Sequence, residues 1–241
     1  MAIYILTDST ADFRPEEAQS RGIWVVSLKV QFGEEEFPDV LDHAAFFRRL
    51  AEAKELPTTS QAGPDDFLPW FQRAKEKGDS VVCLPMASSL SGTCQSALIA
   101  REMCGYEDIH VVDSTQTVLG LRLLIDLACL LRDQGMDAPA IAAELERAKS
   151  RVRLLAIVDT LKYLHKGGRL PAAVSIAGEL LKVKPIITLK DGRLGLVGKG
   201  VGVKGSLAAL VKLVGEELAF DQRLPVYYGY TAHDELCQSL M

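Results

Sequence analysis

The chain has 241 residues, 48% of them hydrophobic and 24% charged, with 27 Lys and Arg against 32 Asp and Glu and a net charge of −5. That balance describes a globular protein with enough chain for one large or two modest domains, and it excludes disorder. A mildly acidic chain without a Lys/Arg block lacks the counterion-releasing surface that phosphate backbones require, so nucleic acid is excluded as a partner.

The opening segment, MAIYILTDST, has no positive lead and no small-residue cleavage site, and it reads as a first strand, not a signal peptide. Further strand-like runs rich in Val, Ile and Leu lie at 23–30, 80–85, 109–112 and 153–158, after the first at 3–7, and helical patterns fill most of the gaps. This alternation predicts an α/β fold, a Rossmann-like parallel sheet with helices on both faces. Pro64 with Asp65 and Asp66 opens a helix that Gly78 closes, and Asp137 with Pro139 opens another running to about Ser150. The longest apolar stretch, Val118 to Leu131, is broken by Arg122 and Asp126, four apart on one helix face, and it does not span a membrane.

Beyond about residue 150 the pattern changes to strands at 185–189, 193–198 and 224–230, turns such as Lys190-Asp191-Gly192, and helices near 171–182 and 205–219. The expected organisation is an N-terminal α/β domain over residues 1–151 and a smaller C-terminal α/β domain over residues 152–241, the latter short of material to cover its sheet and so expected to be truncated at Met241. Cys83, Cys94, Cys104, Cys129 and Cys237 show no C-x-x-C spacing and sit mostly in apolar stretches, as reduced thiols in the cytoplasm do. His43, His110, His165 and His233 lie near no cluster with metal-ligand spacing, so no metal is expected.

The chemistry is expected where strands end. The run 3–7 leads into Asp8-Ser9-Thr10, the run 80–85 into Ala87-Ser88-Ser89-Leu90-Ser91-Gly92-Thr93, and the run 109–112 into Asp113-Ser114-Thr115. In a parallel sheet the carboxyl ends share one rim, where ligands bind beside a topological switch point, so three hydroxyl-rich tips converge there. Singly, such residues are most often caps and turn formers. The middle tip also opens a helix, whose free N–H groups and dipole favour an anion.

Pro57-Thr58-Thr59-Ser60-Gln61 reads by composition as a turn before the Pro64 helix, with Ser60 or Gly63 as its cap. An alternative, a serine hydrolase acting at the Ser88–Ser91 tip, has no G-x-S-x-G elbow behind it and needs a tertiary contact from His110 or His165 as base. Gly200, Gly202 and Gly205 formally match G-x-G-x-x-G. The acidic residue at the matching distance, Asp221, precedes its strand instead of ending it, which favours a hairpin exit over a dinucleotide site. The basic segment Asp159 to Leu170, which carries Arg169, is either a solvated loop or an Arg held out to a partner or cleft.

Taken in order, Thr7-Asp8-Ser9-Thr10-Ala11-Asp12, Pro57-Thr58-Thr59-Ser60-Gln61, Ser88-Ser89-Leu90-Ser91-Gly92-Thr93-Cys94-Gln95-Ser96-Ala97, Val112-Asp113-Ser114, Lys166-Gly167-Gly168-Arg169 and Lys184-Pro185-Ile186 resemble the DegV family of bacterial fatty-acid-binding proteins. The resemblance covers essentially the whole chain. It implies a non-catalytic carrier that encloses one long-chain fatty acid, palmitate- or oleate-like, in an interdomain cleft and presents it to a separate fatty acid kinase for acyl-phosphate formation. By motif position, Thr59 and Ser88 would hold the carboxyl group, with Ser60, Ser89, Ser91, Gly92, Thr93, Asp8, Ser9 and Ser114 as neighbours and Arg169 on a loop near the cleft or the kinase. The chain departs from the usual T-S-Q-P-S at Ala62-Gly63, and where the family reads S-S-x-L-S-G-T its serine tip reads Ala87-Ser88-Ser89-Leu90-Ser91-Gly92-Thr93.

Overall fold

A run of β-branched and aliphatic residues with no Gly or Pro is stable as a strand only when both faces are covered, and the centre of this protein is built that way. The computed structural model describes residues 1–38, 43–170, 182–216 and 221–231. Contacts divide the chain into two compact units, Met1–Val152 and Arg153–Met241.

In the first unit the chain runs β1 (Ile3–Asp8), α1 (Pro15–Ser20), β2 (Ile23–Val26), β3 (Lys29–Phe32), β4 (Glu35–Pro38), α2 (His43–Glu52), β5 (Thr58–Ser60), α3 (Pro64–Lys77), β6 (Ser80–Leu84), α4 (Thr93–Cys104), β7 (Ile109–Val111), α5 (Val118–Asp133) and α6 (Ala138–Ala148). Four strands form a parallel sheet in the order β2-β1-β6-β7. The chain leaves β1 for one neighbour and returns on its other side as β6, so the strand order reverses between β1 and β6. That boundary is the topological switch point.

Side chains alternate across a strand, and here both sets are buried. Leu6, Val26, Val81, Cys83 and Ile109 join one core cluster with Phe67, Phe71 and Ala74 of α3 and Ala97, Ala100 and Cys104 of α4. The small residues of α4 let the two α3 phenylalanines, spaced four apart, lie close to the sheet. The alternating partners Ile5 and Val82 are equally inaccessible to solvent, and α5 and α6 pack against β1, β6 and β7 through Leu121, Leu124, Ile125, Ile141 and Leu145. Helix ends follow the sequence signals. Gly78 caps α3 in the left-handed region (φ 67°), and the Asp137 side chain accepts from Ala140 N at 2.9 Å at the start of α6. Among the described residues, no helix is long and apolar enough to cross a membrane.

Two sequence expectations need correction here. The single strand expected over 23–30 is two strands in different sheets, because β3 belongs to an antiparallel sheet ordered β4-β3-β5. The chain breaks at Ser27-Leu28, where Leu28 N donates to Ser9 Oγ at 3.0 Å and Ser27 Oγ donates to Leu28 O at 2.8 Å. The supposed turn at Thr58–Gln61 is in part strand β5, with Thr59 opposite Val30.

In the second unit, β8 (Leu154–Ile157), α7 (Lys162–Lys166), β9 (Val183–Lys190), β10 (Arg193–Val201) and α8 (Gly202–Glu216) build an antiparallel sheet ordered β10-β9-β8 with α8 packed against it. Asp191 and Gly192 both have positive φ (49° and 77°) and form the two-residue hairpin turn that their sequence suggests. Residues 224–230 carry no strand, a third departure from expectation: Leu224 N instead closes a turn on Asp221 O at 3.1 Å. Most of the helix expected near 171–182, together with Cys237 and His233, lies outside the described residues.

The G-x-G-x-x-G match is explained by packing. A Cβ on Gly200 would run into the backbone N and Cα of Ser206 and come within 2.6 Å of Gly205 C, while Gly202 begins α8 in the left-handed region (φ 62°). The glycines let β10 and α8 touch at the turn between them.

Candidate functional site

The residues closing β1, β6 and β7 meet on one rim and are tied together by named hydrogen bonds. Asp8, the last residue of β1, is fully buried; its Oδ2 accepts from Met86 N at 2.7 Å, beyond the end of β6, and its Oδ1 accepts from Thr10 N at 3.0 Å and Thr10 Oγ1 at 2.6 Å. Thr7 Oγ1 donates to Leu84 O at 2.8 Å across the same boundary. The tip after β6 is fastened to the tip after β7 by Ala87 N donating to Gln116 O at 2.8 Å, and by Asp113, which accepts from Ser88 N at 3.1 Å and from Ser88 Oγ at 2.5 Å.

The hydroxyls on this rim fall into two groups. Those that hold the backbone are buried: Ser9 Oγ accepts from Leu28 N, and Ser114 Oγ accepts from Gln116 N and donates to Gln116 O, both at 3.1 Å. Thr93 is fully buried, with its Oγ1 2.8 Å from Ser91 Oγ. Ser88 and Ser89 are exposed, as are Thr58, Thr59 and Ser60 on β5.

Gln61, just past β5, meets the start of α4. Its Nε2 donates to Ser96 Oγ at 3.1 Å, and a Cβ on Gly92 would overlap its amide. A glycine at the start of α4 thus lets Gln61 lie against the helix N-terminus, where Thr93 N donates to Ser91 Oγ at 3.3 Å. Neither Gln61 nor Asp113 emerged as a site residue from the sequence, although both stand inside the motifs; the glycine inside the serine tip was the available signal. Arg169, in the second unit, is exposed after α7, where Gly168 is left-handed (φ 71°), and its Nη1 donates to Gly167 O at 2.5 Å.

The Ser88 hydroxyl faces a carboxylate. Cys94, the second residue of α4, has its thiol pushed up to about 11 by burial, so it is not a thiolate at neutral pH. His110 pairs with Val82 in mid-strand, and its buried Nε2 has no hydrogen-bond partner among the described residues. Burial holds its imidazole below the usual 6.5, against Asp108 and Asp137, which raise it, and with Arg101, which lowers it further.

Below about pH 6.5 the unfolded chain therefore binds more protons than the folded one. The stability contributed by neutral His110 is complete above that pH and is lost as pH falls through its folded value. Replacing His110 with Leu is expected to flatten the acid-side decline of the urea midpoint between about pH 7 and pH 5. An unchanged slope would remove His110 as its source.

The fold is that of an α/β protein with a four-stranded parallel sheet and antiparallel sheets, and known proteins share it. Residues 2–241 match the family model described as "Uncharacterised protein, DegV family". The chain is 35% identical over 211 residues to a DegV domain-containing protein of Caldanaerobacter subterraneus subsp. tengcongensis, covering 87% of this chain and 75% of that one. It is 37% identical over 218 residues to one of Halalkalibacterium halodurans, covering 89% and 77%. The chain belongs to the DegV family.

Among solved structures, a DegV family protein from Thermus thermophilus described by its fatty acid binding superposes with a TM-score of 0.81 at 33% identity, over 90% of this chain and 78% of that one. The fatty acid kinase (Fak) B3 protein of Streptococcus pneumoniae, loaded with linoleic acid, superposes with a TM-score of 0.79 at 25% identity, over 90% and 79%.

Proposed function

We propose that this protein is a non-catalytic cytoplasmic carrier of one long-chain fatty acid, palmitate- or oleate-like, that it holds the tail in an apolar tunnel and the carboxyl group with Ser and Thr hydroxyls, and that it presents the acid to a fatty acid kinase. The fatty acids bound by the Thermus and Streptococcus relatives support the ligand class, and the Streptococcus protein's name supports a kinase partner. Buried, unpaired cysteines at 83, 94, 104 and 129 are in keeping with a reducing compartment.

The observation that supports the head-group assignment is the meeting of Gln61 with Gly92, which joins the segment that follows β5 to the tip that carries the exposed serines. Thr59 and Ser88 are the two we assign to the carboxyl group. Ser88 has one O–H, donated to Asp113 in this structure. A turn to another staggered rotamer re-aims it at a ligand. Affinity comes from the tail, at about 0.8 kcal/mol for each CH₂ removed from water, so the hydroxyls need only orient the head. Arg169 is assigned to the kinase contact.

Replacing Thr59 and Ser88 together with Ala is expected to weaken retention of radiolabelled palmitate by about 1 kcal/mol for each lost hydrogen bond, with the melting temperature preserved. Retention equal to that of the parent protein would remove both residues from the head-group site.

A further inference from the structure

The hydroxyl assigned to the ligand is already held by an anion. Ser88 Oγ donates to Asp113 Oδ2 at 2.5 Å, and Ser88 N donates to Oδ1 of the same carboxylate at 3.1 Å, where Thr115 N also donates at 3.0 Å. So short a contact between a hydroxyl and a carboxylate is a charge-assisted bond, stronger than one between neutral groups. Among the described residues Oδ2 has that hydroxyl as its one donor.

A carboxyl group that reaches Ser88 therefore meets the Asp113 carboxylate as well. An ionised head takes the Ser88 O–H for itself, leaves Asp113 Oδ2 without a donor and sets two like charges beside one hydroxyl. A protonated head exchanges donors instead: its own O–H donates to Asp113 Oδ2, and Ser88 turns its O–H to the carbonyl oxygen of the head, so that no acceptor is left over. Two carboxyl groups in one site hold a single proton between them for the same reason.

The charges around this pair do not reverse the balance. Lys149 Nζ reaches the tip, but it donates to the backbone O of Asp113 at 3.0 Å and is paired with Glu146 at 2.6 Å. On the Cys94 thiol of α4, which burial pushes up most, Asp113, Asp8 and Glu146 push the same way and Lys149 opposes them. That thiol is neutral at pH 7 and adds no charge. His110, three residues before Asp113, answers to Asp108, Arg101 and Asp137 instead.

Resting on the head-group assignment above, we propose that Asp113 is a specificity-determining residue of that site: it shares one proton with the carboxyl group of the fatty acid, and the protein therefore takes the head in its protonated form. A free carboxyl group titrates near pH ~4 and is ionised at neutral pH, so loading takes up about one proton per acid. As pH rises from the free acid's titration range to that of the bound pair, affinity falls about tenfold for each pH unit.

Isothermal titration calorimetry of the whole chain with laurate, kept below its micelle-forming concentration, in two buffers of different ionisation enthalpy counts that proton. The parent protein is expected to take up about one proton per laurate at pH 7 and to bind laurate about tenfold more weakly at pH 8 than at pH 7. Lauramide, whose head does not ionise, is expected to bind equally at both. Asp113→Asn is expected to take up no proton and to bind laurate at pH 8 about tenfold more tightly than the parent does, with a melting curve that reports separately on the lost tie between the tips.

Laurate binding by the parent without proton uptake would overturn the shared proton and leave the carrier reading standing, and that count does not depend on how well the variant folds. Uptake that persists in a folded Asp113→Asn would place the proton on another group and overturn the role of Asp113. A parent protein that binds neither laurate nor lauramide at any pH would sink the carrier reading and this proposal with it.

Discussion

Asp8→Ala is expected to be among the most damaging single changes in the first unit. The substitution removes a fully buried carboxylate from three donors and leaves Met86 N–H, at the switch point between β1 and β6, without its partner. Hydrogen bonds to a charged group and an orphaned buried donor together predict a loss of about 3 to 5 kcal/mol. At roughly 2 to 4 °C per kcal/mol for a unit of this size, that is a fall of about 10 °C in the unit's melting temperature. Asp8→Asn keeps an acceptor of the same shape and should lose less than half as much. A melting temperature for Asp8→Ala within about 2 °C of the parent's would show that the rim is held by other contacts.

Gly200→Ala is expected to destabilise the second unit by about 3 kcal/mol, because its methyl group would collide with the Ser206 backbone and with Gly205 C, neither of which moves without shifting α8 on β10. Gly205→Ala is the internal control. A Cβ there meets nothing closer than 4.0 Å, and Ala in a helix interior is worth about 1 kcal/mol over Gly. The two substitutions should therefore shift unfolding midpoints in opposite directions. If both were equally harmful, the glycines would have a role beyond close packing, as in a phosphate-binding loop.

The parts of the fold that depend on local pattern were legible. β1, β6 and β7 stand on runs of Val, Ile and Leu, and α3 and α6 begin at acidic and Pro signals and end where those signals run out. The break between β2 and β3 was not, since Ile23 to Val30 contains no Gly or Pro, its single Ser27 is too weak a turn signal to divide an apolar run, and the division is made by a hydrogen bond from Leu28 N to Ser9, which a local reading does not contain. β5 was hidden for the complementary reason: Thr58-Thr59-Ser60 has the composition of a turn and becomes a strand because β3 offers an edge. The same division holds at the candidate site. Spacing brought the three hydroxyl tips together, but it did not separate Ser9 and Ser114, spent on the backbone, from the exposed Ser88 and Thr59. Only the partners of each oxygen make that distinction, and they come from elements far apart in the chain.

Native mass spectrometry of protein expressed in bacteria and purified without detergent is expected to show a single adduct per chain with the mass of a palmitate- or oleate-sized acid, lost on organic extraction and regained when that acid is added back. A chain that flies without any adduct, takes up no acid on addition and cleaves activated esters would contradict the carrier function.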